Sequence, residues 1–153
     1  MGIIPISDSQ GARWVTKTVT FTGAAGTGAV GTVSVFTVTG RVLVHVIAPY
    51  CTTNLTEAGA TASVALGTTN QTQRFVATTT STAIDVDEWW TTSTPTLGSV
   101  DLPSASSGTN DMASVLVAEN VIITCTGQAT NAGVIAFYCL WEPLSAGATL
   151  VAA

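Results

Sequence analysis

Charged residues are scarce in this sequence of 153 residues: four are Lys or Arg and nine are Asp or Glu, 8% of the chain. Ordinary soluble domains carry about 25%. The net charge of −5 and the few cations exclude a nucleic-acid groove or a patch for anionic membranes, because both need clustered Lys and Arg. A monomer of this size exposes about 7,200 Å² of accessible surface, so there would be one charged residue for about every 550 Å². We therefore expect another copy of the chain or a partner to cover part of that surface.

Long hydrophobic runs are also absent. The longest unbroken apolar run extends from Val134 to Trp141 and is much shorter than the roughly 18 residues that a membrane-spanning helix needs. The segment from Met1 to Asp8 lacks the basic part and the long apolar part of a secretory signal. These features predict an untargeted protein that is made in the cytoplasm and has no membrane partner.

Cysteine and histidine are too few for a familiar metal centre. Cys51, Cys125 and Cys139 are odd in number and lack metal-ligand spacing, and the single histidine, His45, lies in an apolar strand where a core or interface position is expected. Cys125 and Cys139 are expected on opposite arms of one hairpin, in a register that separates their sulfurs by about 13 Å. The sequence therefore predicts no metal, no cofactor and no disulfide, with thiols that behave as small buried hydrophobes.

A glycine motif from Gly26 to Gly31 matches the dinucleotide-binding pattern G-x-G-x-x-G. That function needs a helix directly after the motif, so that the amides of the helix N-terminus bind the pyrophosphate. The following segment, Thr32 to Thr39, is instead rich in β-branched residues. We therefore interpret the motif as a flexible connector between two strands.

Strand-forming residues dominate the composition. Thr, Val, Ile, Phe, Tyr and Trp total 64 residues, against 23 for Leu, Glu, Gln, Lys, Arg and Met, and this balance indicates a β protein. From Trp14 to Thr22, apolar and Thr residues alternate as in a half-buried strand, and a change of phase between Val35 and Phe36 predicts a β-bulge. We predict an all-β fold, an antiparallel β-sandwich or jelly roll of about eight or nine short strands. Residues 1–13 would form an extended N-terminal arm and residues 14–153 a single domain.

Two groups of apolar residues are candidates for an interface. Ile3, Ile4 and Ile6 are unusually apolar for a free arm. Trp89 and Trp90 are adjacent, so that in a strand at least one indole would face outward or into a neighbouring molecule. Tryptophan is a favoured anchor at protein interfaces.

The acidic residues Asp85, Asp87 and Glu88 directly precede the two tryptophans. A solvated turn is the simplest interpretation, since their spacing matches no closed calcium loop. Carboxylates beside an exposed indole would also suit a glycan-stacking site. A hydrolase that uses two of these carboxylates as acid and base is a third hypothesis.

Several segments resemble a group of small β proteins that are encoded with the structural genes of tailed bacteriophages. They are Lys17 to Gly26 with its continuation from Val33 to Val46, the Thr-rich Ala77 to Asp85, and the closing Phe137 to Leu144. The resemblance covers residues 14–145 and rests on strands and Thr-rich turns rather than on a catalytic signature. It implies a virion component, such as a capsid decoration or cement protein or a small head or tail appendage, and it carries over no functional residue.

These observations favour a non-enzymatic virion structural protein. It would be a capsid decoration or cement protein that forms a symmetric homo-oligomer, a dimer or a trimer, and stabilises the head by binding the major capsid protein or another virion protein. It would be assembled in the host cytoplasm and reside in the virion. The alternative is a fibre or tail module that binds a receptor or a glycan through Trp89 and Trp90.

Overall fold

Two antiparallel β-sheets enclose a shared hydrophobic core in the computed structural model, which describes residues 11–59, 61–98 and 114–153. Sheet A contains β1 (Arg13–Thr20), β3 (Val42–Glu57), β6 (Glu88–Trp89), β7 (Thr96–Leu97), β8 (Val115–Val117) and β10 (Thr130–Pro143). Sheet B contains β2 (Gly31–Thr39), β4 (Ser63–Thr68), β5 (Val76–Thr80), β9 (Val121–Thr126) and β11 (Thr149–Ala152). A 3₁₀ turn, Ser81–Ala83, follows β5. The predicted all-β sandwich is confirmed.

Strand order places the two longest strands side by side. Sheet A runs β1-β10-β3-β6-β7, with β8 paired to another part of β3, and sheet B runs β11-β2-β9-β4-β5. The eleven strands of the described residues exceed the eight or nine expected, because β6 and β7 have only two residues each. Conversely, β3 and β10 have 16 and 14 residues and are not short. They form the centre of sheet A.

The alternation expected in the first strand is present in β1. Val19 is buried and Val15 packs against the core, whereas Thr16, Thr18 and Thr20 are exposed. Lys17 interrupts the apolar side, and its ammonium group donates a hydrogen bond to the backbone oxygen of Ala153 next to β11. This contact joins the edge strands of the two sheets.

The predicted bulge also lies where the phase of β2 changes. The register with β9 shifts between Ser34 and Phe36, and both Val35 and Phe36 are fully buried. A bulge allows two consecutive side chains to enter the same core, which a regular strand cannot do.

The prediction that β9 and β10 form one hairpin is wrong, because the two strands belong to different sheets. Cys125 on β9 is paired with Gly31 and Val64, whereas Cys139 on β10 is paired with Val15 and Ile47. Both strands direct apolar side chains into the same core, from the two opposite sheets of the sandwich. All three cysteines are free and buried, as expected.

The glycine motif forms a hydrogen-bonded loop. The carbonyl of Ala24 accepts hydrogen bonds from the amides of Thr27 and Ala29, both at 3.0 Å, and the carbonyl of Gly28 accepts one from Thr130 at 2.8 Å. The loop leads into β2 and not into a helix, so it lacks the helix N-terminus that dinucleotide binding needs. Within the described residues, no helix is long and apolar enough to cross a membrane.

Candidate functional site: an aromatic sheet face

The outward side of sheet A carries a continuous uncharged surface, which we call the aromatic face. Cross-strand partners project to the same side of a sheet, so the strand register places them in rows. The three rows are Trp14, Leu140 and Val46; then Thr16, Tyr138 and Ala48; then Thr18, Ala136, Tyr50, Trp89 and Thr96. None of these side chains is charged. The first two rows cross β1, β10 and β3, and the third row continues across β6 and β7.

Strand β10 explains why this side is apolar. In the run from Val134 to Trp141, the alternate residues Ile135, Phe137 and Cys139 are buried in the core. The intervening residues lie on the outward side of sheet A and are partly exposed. A strand that faces water on one side normally alternates apolar with polar residues, and a continuous apolar run is typical of strands covered on both sides. In the described residues, sheet B covers only the inner side.

Three aromatic rings cluster at one end of the aromatic face. Trp89 lies beside Tyr50, with ring centroids 4.7 Å apart, and beside Tyr138, with centroids 6.3 Å apart. The hydroxyl of Tyr50 donates a hydrogen bond to Oδ1 of Asp87 at 2.9 Å. This hydrogen bond to a carboxylate raises the pKa of Tyr50. The ring of Tyr50 is therefore held in place as one wall of the cluster.

The two adjacent tryptophans lie on opposite sides of sheet A. Trp89 is half-buried on the aromatic face, whereas Trp90 is completely buried in the core. Trp90 therefore has no surface to offer a partner, which corrects its expected place in an interface. Trp89 keeps its place as a candidate.

The acidic residues before Trp89 make local hydrogen bonds. Oε2 of Glu88 accepts a hydrogen bond from the backbone amide of Asp85 at 2.9 Å, and Asp87 accepts the Tyr50 hydroxyl. Asp87 also has a positive φ of 64°, a left-handed conformation that a turn requires. Among the described residues, no group of three or more His, Cys, Asp or Glu side chains could hold a metal ion. These carboxylates shape the turn that presents Trp89.

A fourth row, which contains the charged Glu142, borders the aromatic face at its other end. Leu43 is paired with Glu142 on one side and with Leu116, which is exposed, on the other. His45 lies at this rim, half-exposed, with Nδ1 3.0 Å from Oγ of Ser114 and Nε2 3.7 Å from Oε2 of Glu142. His45 is therefore a rim residue rather than a core residue.

The outward side of sheet B is different in character. Thr32, Ser34 and Thr37 are exposed along β2, and Thr32 is paired with Thr124 of β9. Hydroxyl side chains dominate there, whereas aromatic and aliphatic side chains dominate the outward side of sheet A. The outward side of sheet B is therefore polar and wettable, whereas the outward side of sheet A is largely apolar.

A concave site of about 240 Å³ lies between β8 and the turn after β4. Asn70 and Glu119 line it and satisfy each other: Oε2 of Glu119 accepts the backbone amide of Asn70 at 3.0 Å, and Oε1 accepts its side-chain amide. These hydrogen bonds lower the pKa of Glu119. Within this site, the carboxylate of Glu119 and the amide groups of Asn70 are thus already paired with each other.

Sequence reasoning identified only part of the aromatic face. Ile3, Ile4 and Ile6 lie outside the described residues. The sequence analysis does not name Trp14 or Tyr138 as interface candidates, although each has a signal in the sequence. Trp14 alternates with the core-facing Val15, and Tyr138 lies in the run of β10 that is apolar on both sides.

Comparison with known proteins finds no matching family model, and no curated protein and no solved structure is significantly similar to this chain.

Proposed function

We propose that this protein is a non-enzymatic structural component of a tailed-bacteriophage virion, a decoration or cement protein that binds the assembled head as a homo-oligomer. The aromatic face carries this proposal, because a broad uncharged sheet surface suits permanent contact with other protein surfaces. The partners would be further copies of the chain and the major capsid protein.

The remainder of the described surface fits the same role. Thr residues such as Thr16 and Thr18 form the β1 edge of the aromatic face, and others line the outward side of sheet B. A Thr hydroxyl keeps a surface wettable, while its methyl group packs against a neighbour with little loss of side-chain entropy. Such a surface can be exposed to water before assembly and can later be buried between subunits.

Stabilisation of a head by such a protein would follow from linkage. A protein that binds the assembled shell and not its free subunits shifts assembly toward the shell by its own binding free energy. At a free concentration of 100 times Kd, this amounts to about 2.7 kcal/mol for each site. Neither a catalytic group nor a cofactor is needed for this effect.

Binding to shells tests the proposal directly. The proposed partner, the major capsid protein of a tailed phage, would be assembled into shells and titrated with the purified protein, and pelleting and the temperature of shell disruption would be measured. We expect saturable binding and a higher disruption temperature. No binding at micromolar concentrations, together with an unchanged disruption temperature, would contradict the proposal.

A fibre or tail module that binds glycans is the second candidate, and the cluster around Trp89 favours it. Sugar rings stack on aromatic side chains, and Asp87 and Glu88 next to the cluster could accept hydrogen bonds from hydroxyl groups. A glycan array would distinguish this function. Binding that is lost in Trp89→Ala but kept in the control Leu97→Ala, an exposed residue of β7, would support it.

A further inference from the structure

We infer that the aromatic face packs against the aromatic face of a second copy of this chain, around a two-fold axis. The inference deepens the proposed function, since it names the surface through which the copies associate. A two-fold contact uses the same patch on both subunits, so the patch must be complementary to itself.

The aromatic face is at the lower end of the size that such a contact needs. Together with the fourth row beside it, the face has five cross-strand positions in the row of Trp89 and three in each of the other three rows, and these positions lie about 4.8 Å apart between strands and about 6.7 Å apart along a strand. That gives roughly 450 Å² in projection, and the accessible area of a corrugated surface is larger. A standard protein interface buries about 800 Å² on each partner. The largest exposed apolar patches on monomeric proteins cover about 300–600 Å².

Charge also favours a second copy as the occupant. Two copies that each carry a net charge of −5 repel each other wherever their acidic residues approach. The three aromatic rows contain no charged side chain, and the nearest carboxylates, Asp87 and Glu142, lie at opposite ends of the surface. Contact through this surface therefore brings two like-charged molecules together without opposing like charges at its centre.

Side-chain sizes on the aromatic face suit interdigitation. Near its centre, the small residue Ala136 lies beside Tyr138 and is partly exposed, whereas Ala48 is already covered by its neighbours; Trp14 at one corner is 63% exposed. In two packed sheets, large side chains of one sheet fill the spaces over small residues of the other, with the sheets about 10 Å apart. Trp14 lies opposite Leu140 on the edge strand β1, and tryptophan is enriched among interface anchors.

Packing of this kind would also account for the sequence of β10. Its run from Val134 to Trp141 is apolar on both sides, and the second copy would cover the side that sheet B leaves open. The dimer would then contain four stacked sheets, with sheet A of each copy in the middle and the Thr-rich sheet B outside.

Sedimentation velocity at concentrations from about 0.1 to 100 µM tests the inference. We expect a dimer of the unaltered chain and at least a tenfold higher dissociation constant for Tyr138→Glu, which opposes two carboxylates in the contact. The matched control is Val151→Glu, which adds the same charge at an exposed apolar residue on the outward side of sheet B and should leave the dimer intact. If Tyr138→Glu does not fold, Thr16→Glu serves instead, since Thr16 is exposed in the same row.

Several outcomes would overturn the inference. One is a single-copy mass for the unaltered chain up to 100 µM; another is an association that withstands the charge substitutions on the aromatic face. A monomer whose Trp89-dependent glycan binding is demonstrated would assign the surface to carbohydrate. A dimer that fails to bind shells keeps the inference and removes the proposed function, whereas a monomer that binds shells removes the inference and keeps only the decoration role of the proposed function.

Discussion

The indole nitrogen of Trp90 donates a hydrogen bond to Oγ1 of Thr79 at 2.8 Å, and both side chains are buried. Thr79 belongs to β5 of sheet B and Trp90 follows β6 of sheet A, so this bond joins the two sheets. The backbone amide of Trp90 also donates to the carbonyl of Pro49 at 2.9 Å. Trp90 therefore fixes the chain directly after Trp89 and helps to hold Trp89 on the aromatic face.

Loss of this hydrogen bond should destabilise the fold. We expect Thr79→Val to lower the free energy of unfolding by about 1–3 kcal/mol, because the buried indole N–H then has no acceptor. Urea unfolding followed by circular dichroism measures the effect. Thr80→Val, at the exposed neighbouring position, is the control and should change stability by less than about 0.5 kcal/mol.

A double-mutant cycle with Trp90→Phe separates the bond from the packing. Since Phe has no N–H to satisfy, Thr79→Val should cost less in that background than in the unaltered chain. Equal costs in both backgrounds would show that the hydrogen bond contributes nothing.

Gly28 is the residue of the glycine loop that tolerates a side chain least. Its φ is +127°, and a Cβ there would lie 2.2 Å from the carbonyl oxygen of Thr130. Gly26 also has a positive φ of +76°, but a Cβ there would meet nothing within 4 Å. We expect Gly26→Ala to cost about 1 kcal/mol for backbone strain alone, and Gly28→Ala to cost clearly more because backbone must move. Thermal unfolding of the two variants provides the comparison, and similar melting temperatures would contradict it.

The sequence predicted those features that depend on local pattern. Alternation identifies β1, and a change of phase identifies the bulge at Val35 and Phe36, because each strand must direct its apolar side chains toward one core. Strand partners depend on contacts between distant residues, which local pattern does not encode. β10 pairs with β1 and β3, more than 70 residues earlier, and not with its neighbour β9.

The candidate site was predicted in part for the same reason. Adjacency of Trp89 and Trp90 predicts that they face opposite sides, but only the position of sheet B decides which of the two is buried. The aromatic face itself appears only when the register brings Trp14, Tyr138 and Tyr50 onto one side of sheet A.

Glu119 should titrate below the ordinary glutamate value of 4.5, because Asn70 donates two hydrogen bonds to its carboxylate. A group with a lowered pKa stabilises the fold above its unfolded pKa, and that contribution is lost as the pH falls through its folded value. NMR titration of the carboxyl carbon measures the pKa directly. In Asn70→Ala it should rise toward 4.5, although the backbone bond remains, while Gln71→Ala, next to it in the same turn, should leave it unchanged.

The buried thiols should make the fold sensitive to alkaline pH. Burial raises the pKa of Cys51 and Cys125 to about 11 and that of Cys139 to about 12, from an ordinary value of 9.0. Above pH 9 the unfolded chain therefore loses thiol protons that the folded chain retains, so the free energy of unfolding should fall as the pH rises from 9 toward 11 or 12. Urea unfolding at a series of pH values measures this decline, which should be shallower in Cys139→Ala.

Thiol labelling provides an independent measurement of the same burial. At pH 8, a disulfide reagent should modify none of the three cysteines of the folded protein at an appreciable rate, and it should modify all three in urea, because only an accessible thiolate reacts. Introduction of Ser34→Cys on the exposed side of β2 is the control and should add one rapidly reacting thiol. Rapid modification of a native cysteine in the folded protein would mean that the core of the sandwich opens to solvent.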